Sequence, residues 1–139
     1  MLEALERNGN GHLWSIDLPP PLAPALHRQT GIAVPGRLRA GWTYVRGSSR
    51  RRLPSLVTEL KVIDVFIHDS MHTTRNLSFE LETVWPAVRP GGLILVDDVN
   101  LNRGFEVFTG KRGRSLRALV GISDDGERLL GLIQKKAGA

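Results

Sequence analysis

The stretch Val62-Ile63-Asp64-Val65-Phe66-Ile67-His68-Asp69-Ser70-Met71-His72 decides the fold of this chain. Its first six residues are almost all apolar, which predicts a strand that is buried on both faces of a parallel sheet. Over residues 73–88 apolar side chains recur at helical spacing, and this pattern predicts an amphipathic helix that Pro86 ends early. A buried strand followed by a helix is the repeating unit of α/β domains.

The same alternation of strand and helix continues on both sides of this stretch. Short β-rich runs predict further strands at residues 13–17, 42–45 and 93–96. Helical spacing predicts helices at residues 2–8, 22–29, 53–60 and 102–108. Turns are expected at the prolines of residues 19–24 and at residues 89–92. Two β-rich runs, residues 116–122 and 129–134, flank Ser123-Asp124-Asp125-Gly126 and predict a C-terminal β-hairpin.

These elements predict an α/β fold, with a Rossmann-like, mostly parallel sheet, helices on both faces and a C-terminal antiparallel hairpin. With 139 residues, 41% of them hydrophobic and 24% charged, the chain has the composition of one globular domain, expected over residues 1–139. Cysteine is absent, which excludes disulfides and leaves only His, Asp and Glu for a metal site. No apolar run reaches about 20 residues and no signal peptide is present, so we expect a cytoplasmic protein without a membrane partner.

The basic residues are unevenly distributed. Nineteen Lys and Arg against fourteen Asp and Glu give a net charge of +5. Arg46, Arg50, Arg51 and Arg52 lie in one short stretch, and a second basic stretch covers residues 111–117. Such clusters permit nucleic-acid binding, although runs of charge are more often solvated faces. Nucleic-acid binding through residues 46–52 therefore remains an alternative function.

Polar residues follow four successive predicted strands. They are Asp17, then Gly47 and Ser48, then residues 68–72, and finally Asp97 with Asp98. Because the carboxyl ends of parallel strands meet at one edge of a sheet, these side chains are expected to converge where α/β proteins bind ligands. An aspartate placed like Asp17 can bind the two hydroxyls of a ribose, or it can simply begin the proline-rich turn.

Asp69, Asp97 and Asp98 form a set of hard oxygen ligands, which suits Mg²⁺, Mn²⁺ or another divalent cation. The alternative is that one aspartate caps a neighbouring segment and another stays solvated. His72 lies three residues after Asp69, at the predicted start of a helix. An imidazole there could remove a proton from a substrate hydroxyl, or it could only pack at the helix start. His68 is expected to be buried and hydrogen-bonded.

The run Ile63-Asp64-Val65-Phe66-Ile67-His68-Asp69-Ser70-Met71-His72, followed by a helix, Pro90-Gly91-Gly92 and Leu95-Val96-Asp97-Asp98, resembles class I S-adenosylmethionine-dependent methyltransferases. It is most similar to the branch of metal-dependent macrolide sugar O-methyltransferases. The resemblance covers about residues 2–134. It implies a metal-assisted transfer of a methyl group from S-adenosylmethionine to the hydroxyl of a small-molecule acceptor.

The resemblance also implies roles for individual residues. Asp69, Asp97 and Asp98 would hold a divalent cation such as Mg²⁺, and His72 would be the general base. The cofactor would contact four residues, namely Asp17 at its ribose, Gly47 and Ser48 near its adenine, and Asp69.

The resemblance is incomplete at the N-terminus. The family has a first strand with a glycine-rich loop that contacts the cofactor, and the sequence begins instead in the helix that follows them. Without that strand, two edges of the sheet would be exposed. We therefore expect a homo-oligomer or a partner chain that completes the sheet. A further alternative is a non-catalytic, methyltransferase-like module that binds nucleic acid or a partner protein.

Overall fold

The computed structural model describes residues 1–20, 22, 24–124 and 126–138. The chain consists of two compact units, Met1–Arg52 and Leu53–Ala139. The expectation of a single domain over residues 1–139 stays a prediction, and each unit is described by itself. In the described residues, no helix has both the length and the apolar character needed to cross a membrane.

The first unit contains one pair of parallel strands. Its elements are α1 (Leu2–Asn8), β1 (Leu13–Asp17), α2 (Pro24–Gln29), a 3₁₀ helix (Gly36–Gly41), β2 (Trp42–Arg46) and the start of α3 (Ser49–Leu60). Helix α1 ends at Gly9, whose φ of 63° is readily adopted only by glycine. Strands β1 and β2 pair from Leu13 opposite Trp42 to Asp17 opposite Arg46.

The second unit contains a four-stranded sheet. Its elements after α3 are β3 (Ile63–His68), α4 (Thr74–Val84), β4 (Val88–Val96), α5 (Gly104–Arg112), a 3₁₀ helix (Gly113–Ser115), β5 (Leu116–Ile122) and β6 (Leu129–Lys135). The strand order is β3-β4-β6-β5. Strands β3 and β4 are parallel, and β5 and β6 form the antiparallel hairpin. The predicted α/β fold with a C-terminal hairpin is therefore confirmed.

The core of the second unit lies between one face of this sheet and the helices α4 and α5. Leu77, Leu81 and Val84 of α4 are fully buried, as are Ile94 of β4 and Ile133 of β6. This is the arrangement that the apolar spacing along α4 predicts, because helical periodicity places these residues on one face.

Several predicted boundaries and one burial prediction are wrong. Strand β3 is not buried on both faces, since Val65 is 41% and Ile67 is 44% exposed. It is an edge strand in its sheet and pairs, among the described residues, with β4 alone. Helix α4 ends at Val84, before residue 88, and this early end next to Pro86 was predicted. The turn expected at residues 89–92 lies inside β4, which begins at Val88.

Two other predicted segments differ in extent. Helix α3 begins at Ser49, four residues before the predicted start, and includes Pro54. Helix α5 extends from Gly104 to Arg112 instead of residues 102–108. Pro21 of the proline-rich turn and Asp125 of the hairpin turn lie outside the described residues.

Candidate functional site

The parallel pairing of β3 and β4 places two of the predicted carboxylates side by side. His68, the last residue of β3, is directly opposite Val96, the last residue of β4. The backbone continues this pairing for one residue, because the amide of Asp97 donates a hydrogen bond of 3.0 Å to the carbonyl of His68. Asp69 and Asp97 therefore directly follow the paired ends of the two strands, at the same edge of the sheet.

Three of the predicted residues form a cluster. Asp69, His72 and Asp97 each offer one ligand atom, and these atoms all lie within 4.8 Å of one another. Asp69 is exposed, whereas His72 and Asp97 are partly buried. The two carboxylates suit Mg²⁺ or Mn²⁺, whereas an imidazole is a ligand more typical of Zn²⁺ or Fe²⁺.

Asp98 lies beside His72 and is not a member of the cluster. Its φ of 50° turns the backbone into the left-handed region directly after Asp97. Its Oδ2 is 3.9 Å from Nε2 of His72, which is an ion-pair distance and too long for a hydrogen bond. Oδ1 of Asp98 and Nε2 of His72 are both buried without a hydrogen-bond partner. Unsatisfied polar atoms of this kind are what a site that binds a cation or a polar substrate requires.

The segment after β4 is fixed on both sides of the site. The amide of Arg103 donates to Thr74 Oγ1 at the start of α4, over 3.2 Å. Asn102 Oδ1 accepts from the amide of Gly104, and its buried Nδ2 has no partner. The guanidinium of Arg103 hydrogen-bonds Glu106 and lowers the pKa of that carboxyl below its usual value. These contacts hold the segment that carries Asp97 and Asp98 against the start of α4.

Three of the four residues predicted for the cofactor, Asp17, Gly47 and Ser48, lie in the first unit, and Asp69 lies in the second. The first unit contains a cavity of about 370 Å³. Leu18, Gly47, Ser48, Arg51 and Arg52 line it. Asp17 directly precedes Leu18, and its carbonyl accepts a hydrogen bond of 3.0 Å from the amide of Gly47. Gly47 and Ser48 therefore line this cavity, whereas Asp17 does not line it and is linked to Gly47 through the backbone.

The family model of the methyltransferase domain matches residues 1–99. The chain belongs to this methyltransferase family. The match includes the strand that carries Asp69, the whole of α4, and the two aspartates after β4. None of the curated proteins matches the sequence closely enough to serve as a relative.

Solved structures show the same fold. An inferred O-methyltransferase from Klebsiella pneumoniae has a TM-score of 0.68 at 18% identity, and the alignment covers 92% of this chain and 63% of that chain. The O-methyltransferase TomG from Streptomyces achromogenes, involved in tomaymycin synthesis and solved with S-adenosylmethionine, has a TM-score of 0.69 at 16% identity and the same coverage.

An O-methyltransferase from Bacillus cereus, solved with S-adenosylhomocysteine, has a TM-score of 0.59 at 16% identity, and the alignment covers 86% of this chain and 62% of that chain. The methyltransferase chain described here thus spans about 63% of the length of the first structures that it matches.

Sequence reasoning missed one residue of this methyltransferase site, Glu80. It is 2% exposed and accepts hydrogen bonds from His68, Ser70 and Asn76. The prediction that His68 is buried and hydrogen-bonded is confirmed, since its side chain has no exposed surface. The signal for Glu80 was its position on the apolar face of α4, where a charged residue needs a partner.

Proposed function

We propose that this chain is the part of an O-methyltransferase that binds a divalent cation and S-adenosylmethionine and transfers a methyl group to a small-molecule hydroxyl. The observation that carries the proposal is the cluster of Asp69, His72 and Asp97 at the ends of two adjacent parallel strands, in a chain of the methyltransferase family. O-methyltransferase structures among its neighbours support the same reaction class.

In the proposed site, Asp69 and Asp97 hold the cation, because ionised carboxylates are the preferred ligands of Mg²⁺ and Mn²⁺. A cation bound there would lower the pKa of an acceptor hydroxyl nearby. His72 removes the hydroxyl proton. Asp98, with Oδ2 at 3.9 Å from Nε2, stabilises the resulting imidazolium. We propose Asp98 as a third ligand of the cation as well, although it lies outside the cluster.

S-adenosylmethionine supplies a sulfonium methyl group that an oxygen nucleophile attacks in line. The proposed contacts of this cofactor are Asp17, Gly47 and Ser48, with Asp69 as a further contact. The cavity beside Gly47 supports this assignment. Two of the structural neighbours were solved with this cofactor or its demethylated product, which supports the cofactor class.

The first experiment is calorimetric titration of the chain with S-adenosylmethionine, with and without Mn²⁺. We expect S-adenosylmethionine to bind. If it binds neither with nor without Mn²⁺, the proposal is rejected for this chain. Transfer from methyl-labelled S-adenosylmethionine to a panel of sugar and phenol hydroxyls then tests the reaction. The variant His72→Ala distinguishes a base from a ligand, because loss of turnover with unchanged Mn²⁺ affinity identifies a base. Loss of Mn²⁺ affinity would instead identify a ligand.

We also propose that the outer edge of β3 pairs with a second copy or with a partner strand. Among the described residues this edge has no neighbouring strand. Val62, just before β3, and Val65 and Ile67, on one face of β3, are exposed. Exposed apolar edge strands are prone to pair with other chains. Size-exclusion chromatography with light scattering tests this proposal, and a monomer at high micromolar concentration would reject it.

The binding-module alternative rests on exposed arginines at the start of α3. Arg46, Arg50, Arg51 and Arg52 are all exposed. Arg46 also hydrogen-bonds His27, and Arg52 donates to the carbonyl of Arg46. Nucleic-acid binding through these residues would weaken steeply with salt, because phosphate contacts release counterions. Binding of an RNA or DNA oligonucleotide without this salt dependence, or no binding at all, would remove the alternative.

A further inference from the structure

The buried carboxylate of Glu80 connects three donors on the segment that carries Asp69 and His72. Its Oε2 is 2.7 Å from Nδ1 of His68, which precedes Asp69. Its Oε1 accepts from Ser70 Oγ at 2.7 Å and from Asn76 Nδ2 at 2.9 Å. Asn76 Nδ2 is also 3.0 Å from Ser70 Oγ. One side chain of α4 therefore fixes both ends and the middle of residues 68–76.

The same contact determines which nitrogen of His68 carries a proton. An ionised carboxylate can only accept hydrogen bonds, so the proton of this contact belongs to Nδ1. In a neutral imidazole Nε2 of His68 is then an acceptor, and it is buried without a partner among the described residues. The ring stands edge-on to the ring of His72, with centroids 5.6 Å apart and an interplanar angle of 82°. The ring that Glu80 orients therefore packs against the ring of His72.

Packing alone does not account for a glutamate at this position. Glu80 is three residues after Leu77 and four before Val84, both fully buried, so a leucine would fit the apolar pattern of α4. Burying a carboxylate costs free energy that its hydrogen bonds only partly recover. A buried carboxylate that accepts hydrogen bonds from three side chains does, however, restrict the conformations of the segments it joins.

We propose that Glu80 is a positioning residue for the cluster, which fixes the tautomer of His68 and holds Asp69 and His72 in the geometry that binds a divalent cation. This inference rests on the proposed function, since it concerns the same site. It assigns to α4 a part in the site, although none of its own side chains belongs to the cluster.

The test compares Glu80→Gln with Glu82→Gln. The first variant keeps the shape of the side chain, and its Oε1 can still accept from Ser70 and Asn76. Its amide group then faces Nδ1 of His68 as a donor, so the proton of His68 moves to Nε2. The second variant makes the same chemical change at an exposed residue of α4 that pairs with Arg112. Spectra of the two variants are compared first, to establish that both are folded.

Two quantities are measured, the tautomer of His68 by long-range ¹H–¹⁵N NMR and the affinity for Mn²⁺ by electron paramagnetic resonance. We expect Glu80→Gln to move the proton from Nδ1 to Nε2 and to weaken Mn²⁺ binding about ten-fold or more, the usual effect of losing an outer partner of metal ligands. Glu82→Gln should change neither quantity. An unchanged tautomer, or Mn²⁺ affinity within about two-fold of the parent, would overturn the assignment.

The remaining outcomes are also decisive. If the parent chain binds no Mn²⁺, the cation of the proposed function is refuted, and the tautomer alone then decides the role of Glu80. If Glu80→Gln does not fold, Ser70→Ala removes one of the three donors and leaves the His68 contact intact. That variant is expected to lose about ten-fold in Mn²⁺ affinity with an unchanged tautomer, and unaltered affinity would overturn the proposal.

Discussion

Replacing Asp97 with asparagine should stabilise the cation-free protein while removing its response to a cation. The ligand atoms of Asp69 and Asp97 lie within 4.8 Å of each other, and both carry negative charge when ionised. Two unit charges at that distance repel by about 3.5 kcal/mol at an effective dielectric constant of about 20. Because Asp69 is exposed and salt screens the pair, we expect a gain of about 1 kcal/mol, or a rise of about 3–5 °C in melting temperature.

The assay is thermal unfolding followed by circular dichroism, first in EDTA and then with Mn²⁺. A cation at about one hundred times its dissociation constant should stabilise the parent chain by about 2.7 kcal/mol, and Asp97→Asn should lose most of this increment. Asp124→Asn makes the same change at an exposed position of the hairpin turn and should leave both melting temperatures unchanged. If the melting temperature of Asp97→Asn in EDTA is at or below that of the parent, the two carboxylates do not repel each other as expected. If Mn²⁺ raises both melting temperatures equally, the two carboxylates do not share a cation.

Three further predictions concern single residues. His72→Ala should reduce methyl transfer by about 100-fold or more at unchanged S-adenosylmethionine affinity, and near-normal turnover would contradict its role as a base. Gly47→Ala should weaken S-adenosylmethionine binding in calorimetry, because Gly47 has φ +144° and an added Cβ would lie 2.8 Å from the Arg52 side chain. An unaltered affinity would mean that the cofactor binds elsewhere. Gly131→Ala should lower the free energy of unfolding by about 1–3 kcal/mol, because the added Cβ would lie 2.4 Å from Phe105. Gly110→Ala on α5, where the added Cβ meets open space, should raise the free energy of unfolding by about 0.5–1 kcal/mol. Equal effects of the two variants in denaturant titrations would contradict this packing.

The convergence of Asp69 and Asp97 could be predicted from the sequence because it depends only on local pattern. Two apolar runs of strand length, separated by one helix, predict two neighbouring parallel strands. The residues directly after the two strands are then predicted to lie side by side at the carboxyl edge of the sheet. The different position of Asp98 could not be predicted this way. It depends on a left-handed backbone at Asp98, and aspartate adopts that conformation only where the surrounding chain requires it.

Burial was predicted less well than the succession of strands and helices, for a related reason. The apolar run of β3 indicates that its side chains prefer to be covered, but it does not indicate which neighbours cover them. In the structure, His68 on one face of β3 is buried and Phe66 is partly buried, whereas Val65 and Ile67 on the other face are exposed. Glu80 is the converse case. Its helical position indicates burial, but its partner His68 lies twelve residues earlier, on another element.

The features that local rules disfavour are concentrated where β3 and β4 end. A buried carboxylate, a left-handed aspartate and two buried imidazole nitrogens without partners each destabilise the folded chain, and all lie within residues 68–98 of one unit. Elsewhere in that unit, α4 and the hairpin follow their sequence patterns closely. A fold that needed only stability could replace Glu80 with leucine and Asp98 with glycine. Their presence together, beside a cluster of ionisable ligand atoms, is better explained by a requirement for geometry at this site than by a requirement for packing.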